Sequence, residues 1–131
     1  MKVAIIHAGA DSIKEFVEAK EIESNLDTYY SEIGCDCIEI PERCIGGKLF
    51  NIICDEEGLL KDHPIPSAVG NGYQEAIFGN LIVCGLADDD GELTGITDED
   101  VQLIRNNIHG AATVDGDFFL VVALTLPETS Y

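Results

Sequence analysis

Four runs of apolar and β-branched residues constrain what this chain can fold into more than any other feature. They are residues 2–8, 49–54, 80–86 and 117–126. Short apolar runs bounded by Gly, Pro or acidic residues are typical of buried strands. The sequence therefore predicts a protein built around a β-sheet.

Helical periodicity occurs between these runs. From Leu26 onward, apolar residues recur at i, i+3, i+4 and i+7, and Gly34 follows as a helix stop. A second apolar stripe runs from Val101 to Ile108 and stops at Gly110. These two patterns predict two helices.

Three other segments are less regular. Ile13, Phe16 and Val17 have the spacing of a short helix that Asp11 or Ser12 could cap. Residues 15–22 also fit a second strand, and we favour the helix. Residues 35–40 predict a short strand with Ile38 and Ile40 facing inward. Residues 49–60 predict a hairpin whose turn is the acidic run that ends at Gly58.

The remaining Pro and Gly residues complete the predicted architecture. Pro64, Pro66, Gly70 and Gly72 indicate an irregular connection before the next strand. Because helices and hairpins alternate without a repeating order, we expect an α+β fold with a mainly antiparallel or mixed sheet and two to three helices. At 131 residues, the chain 1–131 is expected to form a single domain.

The charge restricts the kinds of partner. The chain has 25 acidic and 7 basic residues, a formal net charge of -18, and a hydrophobic fraction of 46%, which is too high for a disordered acidic tail. Nucleic acid and anionic membranes are poor partners, because both are bound through Lys and Arg. A basic protein or a cation fits better, and the alternative is that the acidic excess only confers solubility or reflects the habitat.

The acidic excess is most concentrated in residues 87–100, which contain seven acids and no base. These acids are Asp88, Asp89, Asp90, Glu92, Asp98, Glu99 and Asp100. An EF-hand register with Gly91 at position 6 leaves Leu86 at position 1 and Thr97 at position 12, so no calcium loop is predicted, although a weak cation site stays an alternative. Thr97 as a helix N-cap accounts for the last three acids but not for the first four.

The cysteines predict neither a metal site nor a disulfide framework. Their number is five, which is odd and suits a reducing compartment. Cys35 and Cys37 lack the second, suitably spaced pair of ligands that structural zinc requires. The short apolar run after Lys2 is not a signal segment. We therefore expect a cytoplasmic protein without a metal or cofactor.

Candidate catalytic residues are sparse. His7, Asp11 and Ser12 lie close together after the first predicted strand, but no nucleophile-elbow motif surrounds Ser12. The glycine-rich residues between Gly70 and Tyr73 match neither dinucleotide nor P-loop motifs, which favours a turn over a ligand pocket. We expect no enzymatic activity.

Residues 54–66, with the sequence CDEEGLLKDHPIP, resemble a family of small uncharacterised domains in bacterial, plasmid and phage proteins, many from gut Firmicutes. The resemblance extends over residues 22–108. It rests on Ile33-Gly34, on the acid-acid-Gly run at 55–58, on Pro64 and Pro66, on the Gly-x-aliphatic strand at 79–83 and on LTGITDED at 93–100. Ser67-Ala68 replaces the Asn-Arg usual in the family. The resemblance implies no activity, but it does imply an accessory gene of a mobile element.

Three functions follow from these observations. The first is inhibition, of the anti-CRISPR or anti-restriction type, of a host defence protein that binds nucleic acid. The inhibiting surface would imitate nucleic acid and would consist of the seven acids above, with Asp55, Glu56 and Glu57 as a second cluster. The second is a small-ligand module, such as a sponge for signalling nucleotides, binding near Gly70 and Tyr73. The third is an interaction domain with no inhibitory role. The sequence leaves the oligomeric state open.

Overall fold

Ten strands and three α-helices occupy the residues that the computed structural model describes, which are 1–61, 63–70, 75–112 and 114–125. The helices are α1 (Ile13–Phe16), α2 (Leu26–Ile33) and α3 (Asp98–Arg105), and a 3-10 turn spans Gly58–Leu60. The strands are β1 (Lys2–Ile6), β2 (Val17–Glu21), β3 (Ile38–Glu39), β4 (Glu42–Ile45), β5 (Lys48–Asp55), β6 (Pro66–Gly70), β7 (Glu75–Phe78), β8 (Leu81–Cys84), β9 (Ile108–Ala112) and β10 (Phe118–Leu124). This is the α+β fold that the sequence predicts, in one small domain.

The first sheet is antiparallel throughout and has the order β2-β1-β8-β5, with β3 and β4 both pairing with β5. Its central strands carry apolar residues on both faces. Val3 and Ile5 pack with Tyr29 and Ile33 of α2. The alternate residues of β1 belong to the main core, which lies between this sheet, the second sheet and α3. Burial on both faces explains why the β1 and β8 sequences are continuously apolar.

The second sheet has the order β7-β6-β10-β9, in which β6 and β10 are parallel and the other pairs are antiparallel. Cys44 of β4 and Thr125, just after β10, exchange two backbone N–H to O hydrogen bonds of 3.0 Å. This bridge connects the edge of the first sheet to the second.

The predicted helix at Leu26 is confirmed. The Asn25 side chain accepts a hydrogen bond from the Thr28 N–H at 2.8 Å, and Gly34 ends the helix at φ 79°. This left-handed backbone conformation favours glycine, since a side chain would be strained there.

The predicted hairpin after β5 is wrong. The run Asp55–Gly58 leads into the 3-10 turn, and Leu59 and Leu60 are 64% and 81% exposed rather than buried in a strand. The reason is that β8 lies on one side of β5 while β3 and β4 lie on the other, so no ladder position remains for a returning strand.

Four other expectations differ from the structure wholly or in part. The segment 66–78 contains β6 and β7 rather than an irregular connection. The α3 helix ends at Arg105, and Ile108 begins a strand instead of continuing the helical stripe. The segment 15–22 contains the end of α1 followed by β2, so both interpretations hold in part. Ile40, expected to face inward, is exposed outside β3.

Candidate functional site

Four of the ten acids proposed from the sequence, Asp88, Asp89, Asp90 and Glu92, lie on a hairpin that follows the last residue of β8 at one end of the first sheet. We name residues 85–94 the acidic hairpin. Its arms are joined by the Gly85 N–H, which donates to the Thr94 carbonyl at 2.8 Å, and by a bridge between Ala87 and Leu93. The tip therefore consists of the acidic run that begins at Asp88.

Asp88 shapes this tip. Its Oδ1 accepts hydrogen bonds from the N–H groups of Asp90 at 2.9 Å and Glu92 at 3.0 Å, an arrangement that stabilises a tight turn. Gly91 adopts φ 81°, which suits glycine. The side chains of Asp89, Asp90 and Glu92 are exposed. The Asp88 carboxylate thus has a structural role in addition to its charge, and the Asp-x-x-Gly spacing is the sequence signal that indicates it.

The start of α3 lies at the same end of the sheet, since the Ile96 N–H donates to the Lys2 carbonyl at 2.9 Å. Thr97 Oγ1 accepts from the Asp100 N–H at 3.1 Å, and Asp100 Oδ2 accepts from the Thr97 N–H at 3.0 Å. This reciprocal capping box confirms the predicted N-cap. Asp98 pairs with Lys2, while Glu99 is exposed.

Asp100 differs from the other acids because it is only 6% exposed. Lys48 Nζ donates to its Oδ1 at 2.6 Å. Burial alone would raise the pKa of Asp100, but the hydrogen bonds from Lys48 and from the Thr97 N–H, with the Lys48 charge, outweigh burial and hold this pKa below its ordinary value of 3.8. Asp100 is therefore ionised and engaged within the fold, which leaves little of its carboxylate for a partner.

The second predicted cluster lies at the opposite end of the first sheet. In the antiparallel β5–β8 pair, Asn51 is opposite Cys84 and Ile53 is opposite Ile82. Asp55 therefore extends past the start of β8, whereas the acidic hairpin follows its last residue. The four residues of β8 separate the two ends by about 13 Å at about 3.3 Å per residue.

Within this second cluster only part of the charge is exposed. Asp55 accepts a hydrogen bond from the Glu57 N–H at 2.9 Å and has Lys61 Nζ at 3.8 Å. Glu56 and Glu57 are exposed. The ten acids proposed from the sequence thus form two separate groups rather than one.

The few basic residues are mostly engaged with carboxylates. Of the seven, five form ion pairs in the part of the chain that the structure describes: Lys2–Asp98, Lys20–Glu32, Arg43–Glu75, Lys48–Asp100 and Lys61–Asp55. Arg105 donates to the Val17 carbonyl at 3.3 Å. Sequence reasoning did not anticipate the roles of Lys2 and Lys48, because each contacts an acid remote in the sequence.

Of the three residues considered as catalytic candidates, His7 lines an open cleft of about 520 Å³, together with Lys14, Glu15 and Glu18, whereas Asp11 and Ser12 do not line it. His7 Nε2 lies 3.0 Å from Glu18 Oε1. The Ser12 hydroxyl accepts from the Glu15 N–H at 3.3 Å as the cap of α1. These contacts give His7 and Ser12 local structural roles, and neither contact joins a base to a nucleophile.

The cysteines differ widely in exposure. Cys35, Cys54 and Cys84 are buried, whereas Cys37 is exposed. Burial raises the pKa of Cys84 to about 12, and burial with the nearby Glu39 raises the pKa of Cys54 to about 12. Among the described residues no three His, Cys, Asp or Glu side chains are grouped so as to hold a metal.

The ligand site considered as an alternative to a turn lies between Gly70 and Tyr73. Residues 71–73 of this segment are outside the described part of the chain. Within the described ranges, no helix has the length and apolar character needed to cross a membrane.

These features define a small, strongly acidic α+β domain that carries a group of exposed carboxylates at each end of one sheet. The chain belongs to the family described as Domain of unknown function (DUF3846), whose model matches residues 1–109. No curated protein and no solved structure matches the chain. Membership of this family agrees with the resemblance to an uncharacterised domain family.

Proposed function

We propose that the protein binds a basic, nucleic-acid-binding protein of its host through the acidic hairpin and the adjoining start of α3, and thereby blocks the nucleic-acid site of that protein. The observation that carries this proposal is the distribution of charge. Among the contacts of the described residues, five of the seven basic side chains already engage carboxylates within the fold. Asp89, Asp90, Glu92 and Glu99 are nevertheless exposed at one end of the sheet.

A preformed loop suits this function. Asp88 holds the tip of the acidic hairpin through two hydrogen bonds, so little conformational freedom would be lost on binding. Duplex DNA presents about one charge per 1.7 Å of its axis, and closely spaced carboxylates attract the same lysines and arginines. The second cluster, at Glu56 and Glu57, lies at the other end of the sheet and would require a separate contact.

The proposal includes the biological setting that the resemblance implies. The protein would be an anti-defence product of a phage or plasmid, of the anti-CRISPR or anti-restriction type, acting in the cytoplasm without catalysis. No observation on the described residues favours a signalling-nucleotide sponge. The segment assigned to that function is residues 70–73, of which 71–73 lie outside the described part of the chain.

The test is an affinity capture with matched variants as baits. The first bait is the parent protein. The second carries Asp89→Asn, Asp90→Asn and Glu92→Gln, which keep the Asp88 turn. The control carries Asp11→Asn, Glu23→Gln and Asp36→Asn, three exposed acids outside the hairpin, and changes the charge equally.

Host lysate is passed over each bait at low and high salt, with and without duplex DNA as competitor. We expect the parent and the control to capture the same nucleic-acid-binding protein at low salt. DNA and high salt should both release it, and the hairpin variant should capture much less. Equal capture by all three baits, or capture that DNA does not reduce, would contradict the proposal.

A further inference from the structure

The sheet edges of this protein differ in charge. Edge β2 carries Glu18, Lys20 and Glu21, the β3–β4 edge carries Glu39, Glu42 and Arg43, and edge β7 carries Glu75. Charged side chains on edge strands discourage pairing with other chains. Strand β9, with the sequence Ile-His-Gly-Ala-Ala, has no Lys, Arg, Asp or Glu and no Pro. In the described part of the chain it is therefore the edge least protected against a further strand.

The hydrogen-bonding groups that β9 presents outward can be assigned from its register. The N–H of Ala123 in β10 donates to the carbonyl of Asn107, just before β9, at 2.8 Å, so Asn107 and Ala123 occupy a hydrogen-bonded position of the β9–β10 ladder. Such pairs alternate along an antiparallel ladder, so His109 and Ala111 also point their backbone groups at β10. The N–H and C=O groups of Ile108, Gly110 and Ala112 consequently point away from the sheet.

An exposed aromatic ring lies next to this edge. Phe118 is 69% exposed, and a Cβ atom added to Gly110 would overlap the Phe118 ring. The ring therefore covers the backbone of Gly110 across the strand pair. Phe118 provides an apolar surface onto which a side chain of an added strand could pack.

We propose that β9 is a docking edge that accepts an extended segment of a partner protein as an additional strand. The segment has uncharged residues opposite Ile108–Ala112 and Lys or Arg residues on either side. Main-chain hydrogen bonds supply the affinity in this mode of recognition, while side chains set the specificity.

The charge of the occupant follows from the protein itself. The net charge is -18, and the turn after β9 carries the exposed Asp115, so a cationic segment is attracted and an anionic one is repelled. A second copy of this chain is disfavoured for the same reason. A five-residue strand also provides far less than the roughly 800 Å² per partner of a stable interface. The inference rests on the proposed function only for the basic character of the partner.

The experiment is an NMR titration of the ¹⁵N-labelled protein with the peptide Lys-Lys-Thr-Val-Thr-Val-Thr-Lys-Lys. A peptide with Glu at each Lys position is the charge control. Ala112→Pro removes one outward N–H without touching the bonds to β10, a placement that edge strands tolerate. Ala112→Ser keeps this N–H and serves as the matched variant.

We expect saturable shifts of the Gly110 and Ala112 amides with the Lys peptide and none with the Glu peptide. Ala112→Pro should weaken binding by about tenfold, the effect of one lost backbone hydrogen bond, and Ala112→Ser should bind like the parent. The mapping on the parent needs no variant, so a misfolded Ala112→Pro protein would not prevent the test.

Three results would overturn the inference. These are shifts confined to the acidic hairpin, equal binding of the two peptides, and a β9-mediated dimer of the protein alone. The first of them would leave the proposed function intact. Conversely, equal capture of the partner by the parent and the hairpin variant would contradict the proposed function but would leave the β9 shifts unchanged. The two proposals can therefore fail separately.

Discussion

Lys48 Nζ donates a hydrogen bond of 2.6 Å to Asp100 Oδ1, and this contact ties the start of β5 to the first turn of α3. Asp100 is part of the acidic stretch that most suggests a partner, yet its carboxylate is used inside the fold. The stretch therefore divides by role: Asp88 and Asp100 stabilise local structure, whereas Asp89, Asp90, Glu92 and Glu99 are exposed.

This contact predicts a pH dependence. A folded-state pKa held below the ordinary value of 3.8 contributes stability above that value, and the contribution is lost as the pH falls through the folded pKa. Asp100→Asn should therefore lower the free energy of unfolding at pH 7 by about 1–2 kcal/mol. Urea denaturation from pH 7 to pH 2 should show the parent and the variant converging below about pH 4. A constant difference at every pH would contradict the assignment.

The capping box predicts a separate loss of stability. Thr97→Ala removes the hydroxyl that accepts the Asp100 N–H and should cost about 1 kcal/mol in urea denaturation at pH 7. Thr97→Ser keeps the acceptor and should cost much less. If the two variants lose equal stability, the hydroxyl is not the source of the effect.

Self-repulsion among the carboxylates predicts that salt stabilises the protein. The Debye length falls from about 10 Å at 0.1 M salt to about 3 Å at 1 M, so the thermal midpoint should rise with sodium chloride. Asp89→Asn, Asp90→Asn and Glu92→Gln together should raise the midpoint at low salt and reduce its salt dependence.

Calcium provides the control for this prediction. The acidic hairpin does not fit an EF-hand register, so millimolar calcium should add no more than its ionic strength. A large shift with calcium that magnesium does not reproduce would show specific binding instead.

Cysteine reactivity should follow burial. Cys54 and Cys84 have pKa values raised to about 12, so they should resist thiol reagents at pH 8 in the folded protein. The exposed Cys37 should react first, and Cys37→Ser should remove this fast phase. Peptide mapping by mass spectrometry identifies the modified residue, and rapid labelling of Cys84 would contradict the burial of this strand.

The predicted absence of zinc is tested independently. Elemental analysis of the purified protein should find no stoichiometric zinc. About one zinc per chain would contradict the prediction, made from the cysteine spacing, that the protein has no structural zinc site.

Elements with strong local signals were predictable from the sequence. The helix from Leu26 has a complete apolar stripe and a glycine at its C-cap, and the Thr97 cap is followed by acids that favour a helix start. The apolar runs at β1 and β8 predicted strands because both of their faces are buried.

Elements decided by tertiary pairing were not predictable. Pro66 and Gly70 resemble loop residues, but Pro66 begins β6, and Gly70 lies so close to Leu124 that a Cβ would be 3.1 Å from the Leu124 carbonyl oxygen. The run after Asp55 could not show that β5 already had neighbours on both sides. The ion pair of Lys48 with Asp100 joins residues 52 apart, which no local pattern reveals.

The most direct test of the central claim is the salt dependence of binding, measured with the partner recovered by affinity capture. Its dissociation constant is determined by calorimetry for the parent, the hairpin variant (Asp89→Asn, Asp90→Asn, Glu92→Gln) and the Asp11, Glu23 and Asp36 control at several salt concentrations. We predict that the parent and the control bind tightly at low salt with a steep loss of affinity as salt rises, and that the hairpin variant binds more weakly with a shallower slope. If the hairpin variant binds as tightly as the parent at low salt, the acidic hairpin is only a solvated loop and the claim is wrong.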